Sequence, residues 1–197
     1  MQLILMRHGQ TQGNLEKRYV GVTDEPLCEE GIACAKAAYH DEQLQRVYVS
    51  PLQRALQTAE ICFPHAEQIA VEGLREMDFG VFEGKTYLEM AELDAYNEWV
   101  AGNCEGACPG GEDKASSQQR ICSALMQLLD EANAAGEKHV VVVAHGGTIM
   151  AALDRYVQSE RNYFDWHVDN CEGYVLNVEF EPELRFYSPE PLSVKGE

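Results

Sequence analysis

The segment VVVVA at residues 140–144 constrains the fold more than any other part of the chain. A continuous β-branched run without polar alternation is typical of a strand that is covered on both faces, as in a parallel sheet between layers of helices. Shorter apolar segments at residues 2–6, 46–50 and 68–72 are bounded by turn or helix signals. We therefore expect all of these segments to be strands of one buried sheet.

Helical patterns fill the intervals between the expected strands. They cover residues 28–44, 51–62, 112–135 and 148–158. In the third of these stretches, Ile121 and Leu125 recur at helical spacing, which predicts one apolar face against the sheet. Two last strands, at residues 174–180 and 184–187, flank a short turn. The expected fold is therefore an α/β three-layer α/β/α sandwich, with a mostly parallel sheet and antiparallel strands near the C-terminus.

A segment at about residues 85–111 interrupts this alternation of strand and helix. Tyr96 and Trp99 stand at helical spacing in it, and a stretch rich in glycine and proline follows. Such a segment predicts a cap inserted into a single domain that spans residues 1–197. Only the residues after Tyr187 are expected to form a loose tail.

The charge balance and the cysteines exclude several classes of partner and site. Fifteen Lys and Arg against 33 Asp and Glu give a formal net charge of -18, which repels nucleic acids and anionic membranes. The seven cysteines form no C-x-x-C pair, so we expect reduced thiols and no metal site. No signal peptide or membrane span is evident. We expect a cytoplasmic protein, monomer or homodimer, without a cofactor.

Cationic and imidazole side chains follow the expected strands at the points where these strands end. Arg7 and His8 follow the first strand, Arg54 lies one helical turn beyond the second, and His145 and Gly146 follow the valine run. Because the carboxyl ends of parallel strands meet at one edge of a sheet, these side chains should converge. Guanidiniums, imidazoles and the amides of a helix N-terminus together suit a dianionic phosphoryl group.

Several sequence blocks resemble the histidine phosphatase superfamily, also called phosphoglycerate mutase-like. In chain order they are LMRHGQTQGN (5–14), SPLQRALQTAE (50–60), LREMDFGVFEG (74–84), PGGE (109–112) and VVAHGG (142–147). Their style is most similar to the branch that contains alpha-ribazole phosphatase and broad-specificity phosphatases. The resemblance implies a phosphoglycerate mutase-like fold and an enzyme that hydrolyses a small phosphorylated metabolite without a metal.

The resemblance also implies roles for individual residues. His8 would be the nucleophile that takes the phosphoryl group, and Arg7, Arg54 and His145 would form the phosphate pocket. Glu76 would protonate the leaving alkoxide and then activate water. To attack, His8 must be neutral, and its second ring nitrogen should be held by a backbone carbonyl or a similar acceptor. Substrate-binding positions are expected at Gln10, Thr11, Asn14, Thr23 and Gly146.

Two alternatives remain open on the sequence. A phosphoglycerate mutase must hold a second phosphate or carboxylate, but residues 87–112 carry acidic side chains and no Lys or Arg. This pattern favours hydrolysis, although Lys85 and Lys114 flank the segment. A phosphate-binding protein without catalysis is the second alternative. His167 could line the pocket, but a packed structural role is the simpler interpretation.

Overall fold

The valine run forms the central strand of the sheet. The computed structural model describes residues 1–192. In it, strand β1 (Gln2–Arg7) and strand β2 (Arg46–Val49) both pair in parallel with the valine strand, His139–Ala144. All residues of the run from Val140 to Ala144 are buried. The expectation of a strand covered on both faces is confirmed.

The remaining strands extend the sheet on both sides. Strand β3 (Glu67–Ala70) pairs in parallel with β2, and the valine strand is β4. Strand β5 (Gly173–Glu179) is antiparallel to β1, and strand β6 (Arg185–Pro191) is antiparallel to β5. Among the described residues the strand order is β3-β2-β4-β1-β5-β6. The predicted mixture of parallel strands with antiparallel strands near the C-terminus is confirmed.

Helices cover both faces of this sheet. Within residues 1–192 the α-helices are α1 (Gln12–Leu15), α2 (Glu29–Ala37), α3 (Gln53–Cys62), α4 (Asp94–Ala101), α5 (Lys114–Ala134) and α6 (Gly146–Tyr156). Leu3 and Val142 point into a core formed with α5 and α6. Ile4 and Val143 point the opposite way, into a core with α2 and α3. This alternation gives the three layers, because successive strand side chains face opposite sides of a sheet.

Three boundaries differ from the sequence-based expectation. Helix α2 ends at Ala37 rather than near residue 44, since Ala38 is already extended, and the Asp41 carboxylate accepts the N–H of Gln43 in a turn beyond it. The third strand ends at Ala70, and a 3₁₀ turn follows it. The tail expected after Tyr187 is wrong as far as Pro191, since β6 pairs with β5 up to that residue. Residues 193–197 lie outside the described part of the chain.

The segment 85–111 is built around an aromatic cluster. Its only α-helix is α4, which buries Tyr96 and Trp99. These side chains pack with Phe82, and Tyr19 and Phe79 pack against the same cluster. The rings of Tyr19 and Phe79 meet edge to face with their centroids 5.2 Å apart. The segment is thereby packed against Tyr19, Phe79 and Phe82, which precede it in the sequence. None of the helices within residues 1–192 combines the length and apolar character that a membrane crossing requires.

Candidate active site

The carboxyl ends of β1 and β4 open into a cleft of about 610 Å³. Arg7 and His8 line this cleft from the end of β1, and Gly146 lines it from the start of α6. Asn14 and Glu76 also line it. The cleft therefore lies at the sheet edge where parallel strands are expected to place a binding site.

His8 is oriented by partners at both ring nitrogens. Its Nδ1 lies 2.6 Å from the carbonyl oxygen of Gly9, and its Nε2 lies 3.2 Å from Nε of Arg54. A carbonyl can only accept, so Nδ1 carries the proton and the lone pair on Nε2 faces the guanidinium. Burial, and then the charges of Arg54 and Arg7, hold the pKa of His8 well below its usual range. The ring is therefore neutral, with the carbonyl partner that the sequence predicts.

Arg54 is the cation that faces the nucleophilic nitrogen. Its side chain is completely buried, in the first turn of α3. Its Nη1 donates to the carbonyl of Thr23 at 2.8 Å, and its Nη2 donates to the carbonyl of Gly21 at 2.6 Å. Burial lowers the pKa of Arg54 from its ordinary value, and the charges of Glu76 and other carboxylates oppose that effect. The two carbonyls fix the plane of the guanidinium, so its Nε–H points at His8.

Glu83 holds the loop that supplies those two carbonyls. Its Oε1 accepts the N–H groups of Gly21 and Val22, both at 3.1 Å, and its Oε2 accepts the hydroxyl of Thr23 at 2.6 Å. A carboxylate that accepts several backbone N–H groups fixes a loop strongly. Glu83 is not among the residues expected from the sequence. It stands inside the block LREMDFGVFEG, but nothing in that block indicates a contact with residues 21–23.

His145 is packed beside His8 at the end of β4. The two ring centroids are 5.1 Å apart, and the ring planes are inclined at 64°. Nε2 of His145 lies 2.7 Å from Oγ of Ser50, and both side chains are completely buried. Its Nδ1 is also buried, and no described residue bonds to it. Burial, followed by the charges of Arg54 and His8, lowers the pKa of His145 well below its usual range.

Glu76 is held at the opening turn of α6. Its Oε2 accepts the N–H of Gly147 at 3.0 Å, and its Oε1 accepts the N–H of Met77 at 2.9 Å. A Cβ on Gly147 would lie 2.1 Å from Oε1 of Glu76, so any larger residue there would displace the carboxylate. Arg120 supports the backbone of this segment by donating to the carbonyls of Gly73 and Arg75. The carboxylate thus faces the cleft from a fixed position.

The loop before β5 completes the site. Arg7 Nη1 donates to the carbonyl of Val168 at 2.7 Å, and the side-chain amide of Asn170 donates to the carbonyl of His8 at 2.9 Å. Asn170 is not among the residues expected from the sequence. His167 is exposed and lines the cleft, with its Nε2 3.5 Å from Nη1 of Arg7. The interpretation of His167 as a packed structural residue is therefore wrong.

The remaining expected positions separate into two groups. Asn14 and Gly146 line the cleft, and Gln10 lines an adjoining depression. Thr11 is completely buried, and its hydroxyl caps α1 by accepting the N–H of Asn14 at 3.3 Å. The Thr11 hydroxyl is thus occupied in capping α1, and a contact of Thr11 with the substrate stays a prediction. Thr23 does not line the cleft, and its hydroxyl donates to Glu83.

Together these groups provide an uncharged imidazole lone pair, two guanidiniums and the N-terminus of α6 around one small space. Such a set can bind a tetrahedral anion and place it beside a nucleophilic nitrogen. The carboxylate of Glu76 stands where it can exchange a proton with a bound group. The site therefore has the parts that a phosphoryl transfer needs.

Comparison with known proteins finds relatives that match most of the chain. The chain is 33% identical to the 2,3-bisphosphoglycerate-dependent phosphoglycerate mutase 2 of Gloeobacter violaceus, over 77% of this chain and 73% of that protein. It is 32% identical to the metal-independent phosphoserine phosphatase of Arabidopsis thaliana, over 80% of this chain and 69% of that protein.

Its fold matches that of the alpha-ribazole phosphatase of Shigella flexneri. The TM-score is 0.85, and the match covers 100% of both chains at 23% identity. The pattern of the histidine phosphatase superfamily (branch 1) matches residues 3–183. The chain therefore belongs to branch 1 of the histidine phosphatase superfamily.

Proposed function

We propose that this protein hydrolyses a small phosphate monoester through a phosphohistidine formed on Nε2 of His8. The observation that carries the proposal is the pair of contacts at His8. The carbonyl of Gly9 holds the proton of His8 on Nδ1, and the Nε–H of Arg54 lies against Nε2. The ring is therefore neutral, and its Nε2 lone pair faces a cationic pocket.

The first step transfers the phosphoryl group to the enzyme. The Nε2 lone pair of His8 attacks phosphorus, a P–N bond forms, and the bond to the leaving oxygen breaks. Arg7, Arg54 and the amides of the first turn of α6 neutralise the phosphoryl oxygens, so this mechanism assigns no role to a metal ion. Glu76 gives a proton to the leaving alkoxide, which would otherwise be a poor leaving group.

The second step regenerates the enzyme. The Glu76 carboxylate takes a proton from water as the water oxygen attacks phosphorus and the P–N bond breaks. His8 returns to its neutral form with the proton still on Nδ1, where the Gly9 carbonyl holds it. Inorganic phosphate leaves, and Glu76 is protonated again for the next cycle.

The walls of the cleft favour a leaving group with an apolar or aromatic surface. Tyr19, Phe79 and Trp99 line one part of it, and Tyr163 and Phe164 line another. Aromatic rings stack on planar groups with a gain of about 1 kcal/mol beyond the area they bury. We take the segment 85–111, which supplies Trp99, to act as a cap over the substrate within a single domain.

The further cations at the cleft are already paired with carboxylates. Arg18 lies 2.9 Å from Glu89, and Nζ of Lys114 lies 2.6 Å from Glu105. Lys85 donates to the carbonyl of Val81 and does not line the cleft. A second phosphate or carboxylate on the substrate would have to compete with these carboxylates. This arrangement favours hydrolysis of a monoester over the mutase reaction.

The test is turnover of p-nitrophenyl phosphate and of a panel of phosphorylated metabolites in the presence of EDTA. His8→Asn should lower kcat by a factor on the order of 10³ or more. His65→Asn is the matched control and should keep wild-type rates, because His65 is exposed and does not line the cleft. Undiminished turnover by His8→Asn would overturn the proposal.

A second measurement separates the two steps. Glu76→Gln should still react with p-nitrophenyl phosphate, whose leaving group needs no proton, but it should lose most of the water attack. A labelled phosphoenzyme should therefore accumulate and survive alkaline quenching, as phosphohistidine does. If no labelled protein forms in either variant or wild type, a binding protein without catalysis becomes the better assignment. Isomerisation of 3-phosphoglycerate primed with the bisphosphate, faster than its hydrolysis, would favour a mutase.

A further inference from the structure

Ser50 and His145 form a hydrogen-bonded pair that lies behind the phosphate pocket. The Ser50 hydroxyl is 2.7 Å from Nε2 of His145, and both side chains have no exposed surface. The same hydroxyl oxygen accepts a long hydrogen bond from the N–H of Leu52 at 3.5 Å. Among the described residues it has no further partner, so its hydrogen has one acceptor, the lone pair of His145 Nε2.

The alternative direction of this bond leaves more polar groups unpaired. A neutral imidazole carries one N–H, and His145 is neutral because burial and the nearby cations lower its pKa. If Nε2 of His145 donated to Ser50, the hydroxyl hydrogen and the lone pair on Nδ1 would both be buried without partners. If Ser50 donates, only the N–H at Nδ1 is unpaired. Each buried polar group without a partner costs about 1–3 kcal/mol, so the second arrangement is favoured.

We propose that Ser50 is a positioning residue that keeps the proton of His145 on Nδ1, where this N–H becomes the donor to the phosphoryl group carried by His8. The inference rests on the proposed function and assigns the direction of one hydrogen bond within that site. The rings of His8 and His145 are adjacent, with centroids 5.1 Å apart, so a phosphoryl group on His8 lies beside His145.

The two histidines are then held in the same tautomer by opposite kinds of partner. For His8, the acceptor carbonyl of Gly9 holds the proton on Nδ1 and leaves Nε2 as a nucleophile. For His145, the donor hydroxyl of Ser50 occupies Nε2 and leaves Nδ1–H as the free donor. With the proton on Nε2 instead, His145 would direct a lone pair at an anionic oxygen. That contact is repulsive, so the tautomer decides whether His145 stabilises or opposes the phosphoenzyme.

The direct test is the tautomer of His145 in the intact protein. Two-bond ¹H–¹⁵N correlation spectra of ¹⁵N-histidine-labelled protein distinguish the two neutral forms, and His145→Asn identifies the signals. Wild-type His145 should be in the Nδ1–H form near pH 7.5. Observation of the Nε2–H form in wild type would overturn the inference, and this measurement requires no Ser50 variant to fold.

Variants of Ser50 test the consequence for the reaction. In Ser50→Ala the Nε2–H form should appear, kcat should fall about ten-fold or more, and the affinity for vanadate, a mimic of the transferring phosphoryl group, should fall in parallel. Ser50→Thr, which keeps the hydroxyl, should restore the tautomer and the affinity. Thr148→Val is the matched control, since it keeps the backbone N–H and removes a buried hydroxyl whose one partner among the described residues is the carbonyl of Leu74.

The outcomes also separate this inference from the proposed function. An unchanged tautomer or unchanged vanadate affinity in folded Ser50→Ala would refute the role of Ser50, while phosphoenzyme formation on His8 would still stand. Conversely, full activity of His8→Asn would remove the proposed function. In that case the tautomer of His145 in the wild type would still show whether Ser50 donates or accepts the hydrogen bond between these two side chains.

Discussion

Nε of Arg54 lies 3.2 Å from Nε2 of His8, so a buried guanidinium donates its hydrogen bond to the lone pair of the proposed nucleophile. This contact disfavours protonation of Nε2, because a proton there would sit against a fixed positive charge. It also places the cation next to the phosphoryl group as soon as the P–N bond forms. The carbonyls of Gly21 and Thr23 hold the guanidinium in that orientation.

Arg54→Lys should be strongly impaired although it keeps the charge. An ammonium group cannot bond both carbonyls and His8 in the planar arrangement that a guanidinium provides. We expect kcat/KM to fall by a factor on the order of 10² to 10³, the cost typical of losing one fixed donor to a developing anion. Steady-state kinetics with p-nitrophenyl phosphate measures this loss. Activity within a few-fold of wild type would show that charge alone suffices.

Gly147→Ala should disable proton transfer with little effect on the rest of the site. Its Cβ would lie 2.1 Å from Oε1 of Glu76, so the carboxylate must move. Turnover of alkyl phosphates should fall more than turnover of p-nitrophenyl phosphate, because an alkoxide leaving group needs a proton from Glu76 and p-nitrophenolate does not. Gly106→Ala is the control, because within residues 1–192 no atom beyond its two chain neighbours would lie within 4 Å of the added Cβ. Equal losses for both substrates would argue against displacement of Glu76.

The free energy of unfolding should decrease below about pH 6.5, partly because of His8 and His145. Both have pKa values well below 6.5 in the folded protein, so as the pH falls the unfolded chain binds protons that the folded chain does not. Each group contributes up to about 1.4 kcal/mol per pH unit in this range and nothing at high pH. Urea unfolding between pH 5.5 and 7.5 should show a shallower dependence for His145→Asn than for wild type. An identical slope would contradict the assignment, and His65→Asn provides the comparison for loss of an exposed imidazole.

Phe164→Ala should weaken binding of aromatic esters selectively. Phe164 lines the cleft and is 46% exposed, so its removal changes the wall more than the core. A lost ring contact of about 0.5–1.5 kcal/mol should raise KM for an aryl phosphate roughly two- to ten-fold and leave KM for a small alkyl phosphate unchanged. Val81→Ala, also 46% exposed but outside the cleft, should affect neither substrate. Equal changes for both esters would place the leaving group elsewhere.

Glu105→Gln should increase tolerance for a second negative charge. The change frees Lys114, which now bonds Glu105 and lies 4.5 Å from the centroid of the Tyr163 ring. KM for 3-phosphoglycerate should fall about two- to five-fold relative to KM for an uncharged alkyl phosphate, as expected for a partly exposed ion pair. Lys114→Gln should not show this gain. An unchanged ratio in Glu105→Gln would mean that Lys114 does not face the leaving group.

The core of the site could be predicted from the sequence because parallel strands leave a recognisable pattern. Arg7, His8 and His145 each follow a buried apolar run, and Arg54 stands one turn into the helix after another. Position after a strand is a local property, so it can be read without knowledge of the tertiary fold. The family resemblance adds Glu76, which no strand end indicates.

Other parts of the site depend on contacts between residues that are far apart in the sequence. Asn170 precedes an antiparallel strand, and its loop reaches the carboxyl edge only because β5 runs opposite to β1. Glu83 acts on residues 21–23 through tertiary contacts that no spacing reveals. The burial of Thr11 at the start of α1 likewise depends on tertiary contacts, which the block LMRHGQTQGN does not reveal.

The direction of β5 also bears on the order in which the protein matures during synthesis. The Val168 carbonyl that anchors Arg7 and the Asn170 amide that fixes the His8 backbone lie 161 and 162 residues further along the chain than the groups they hold. In a nascent chain that still holds this loop inside the ribosome, His8 is already made, but the Val168 and Asn170 groups that orient the site are not yet in contact with it. Competence to react with phosphate esters should therefore arise only after the loop before β5 has left the ribosome and reached the end of β1.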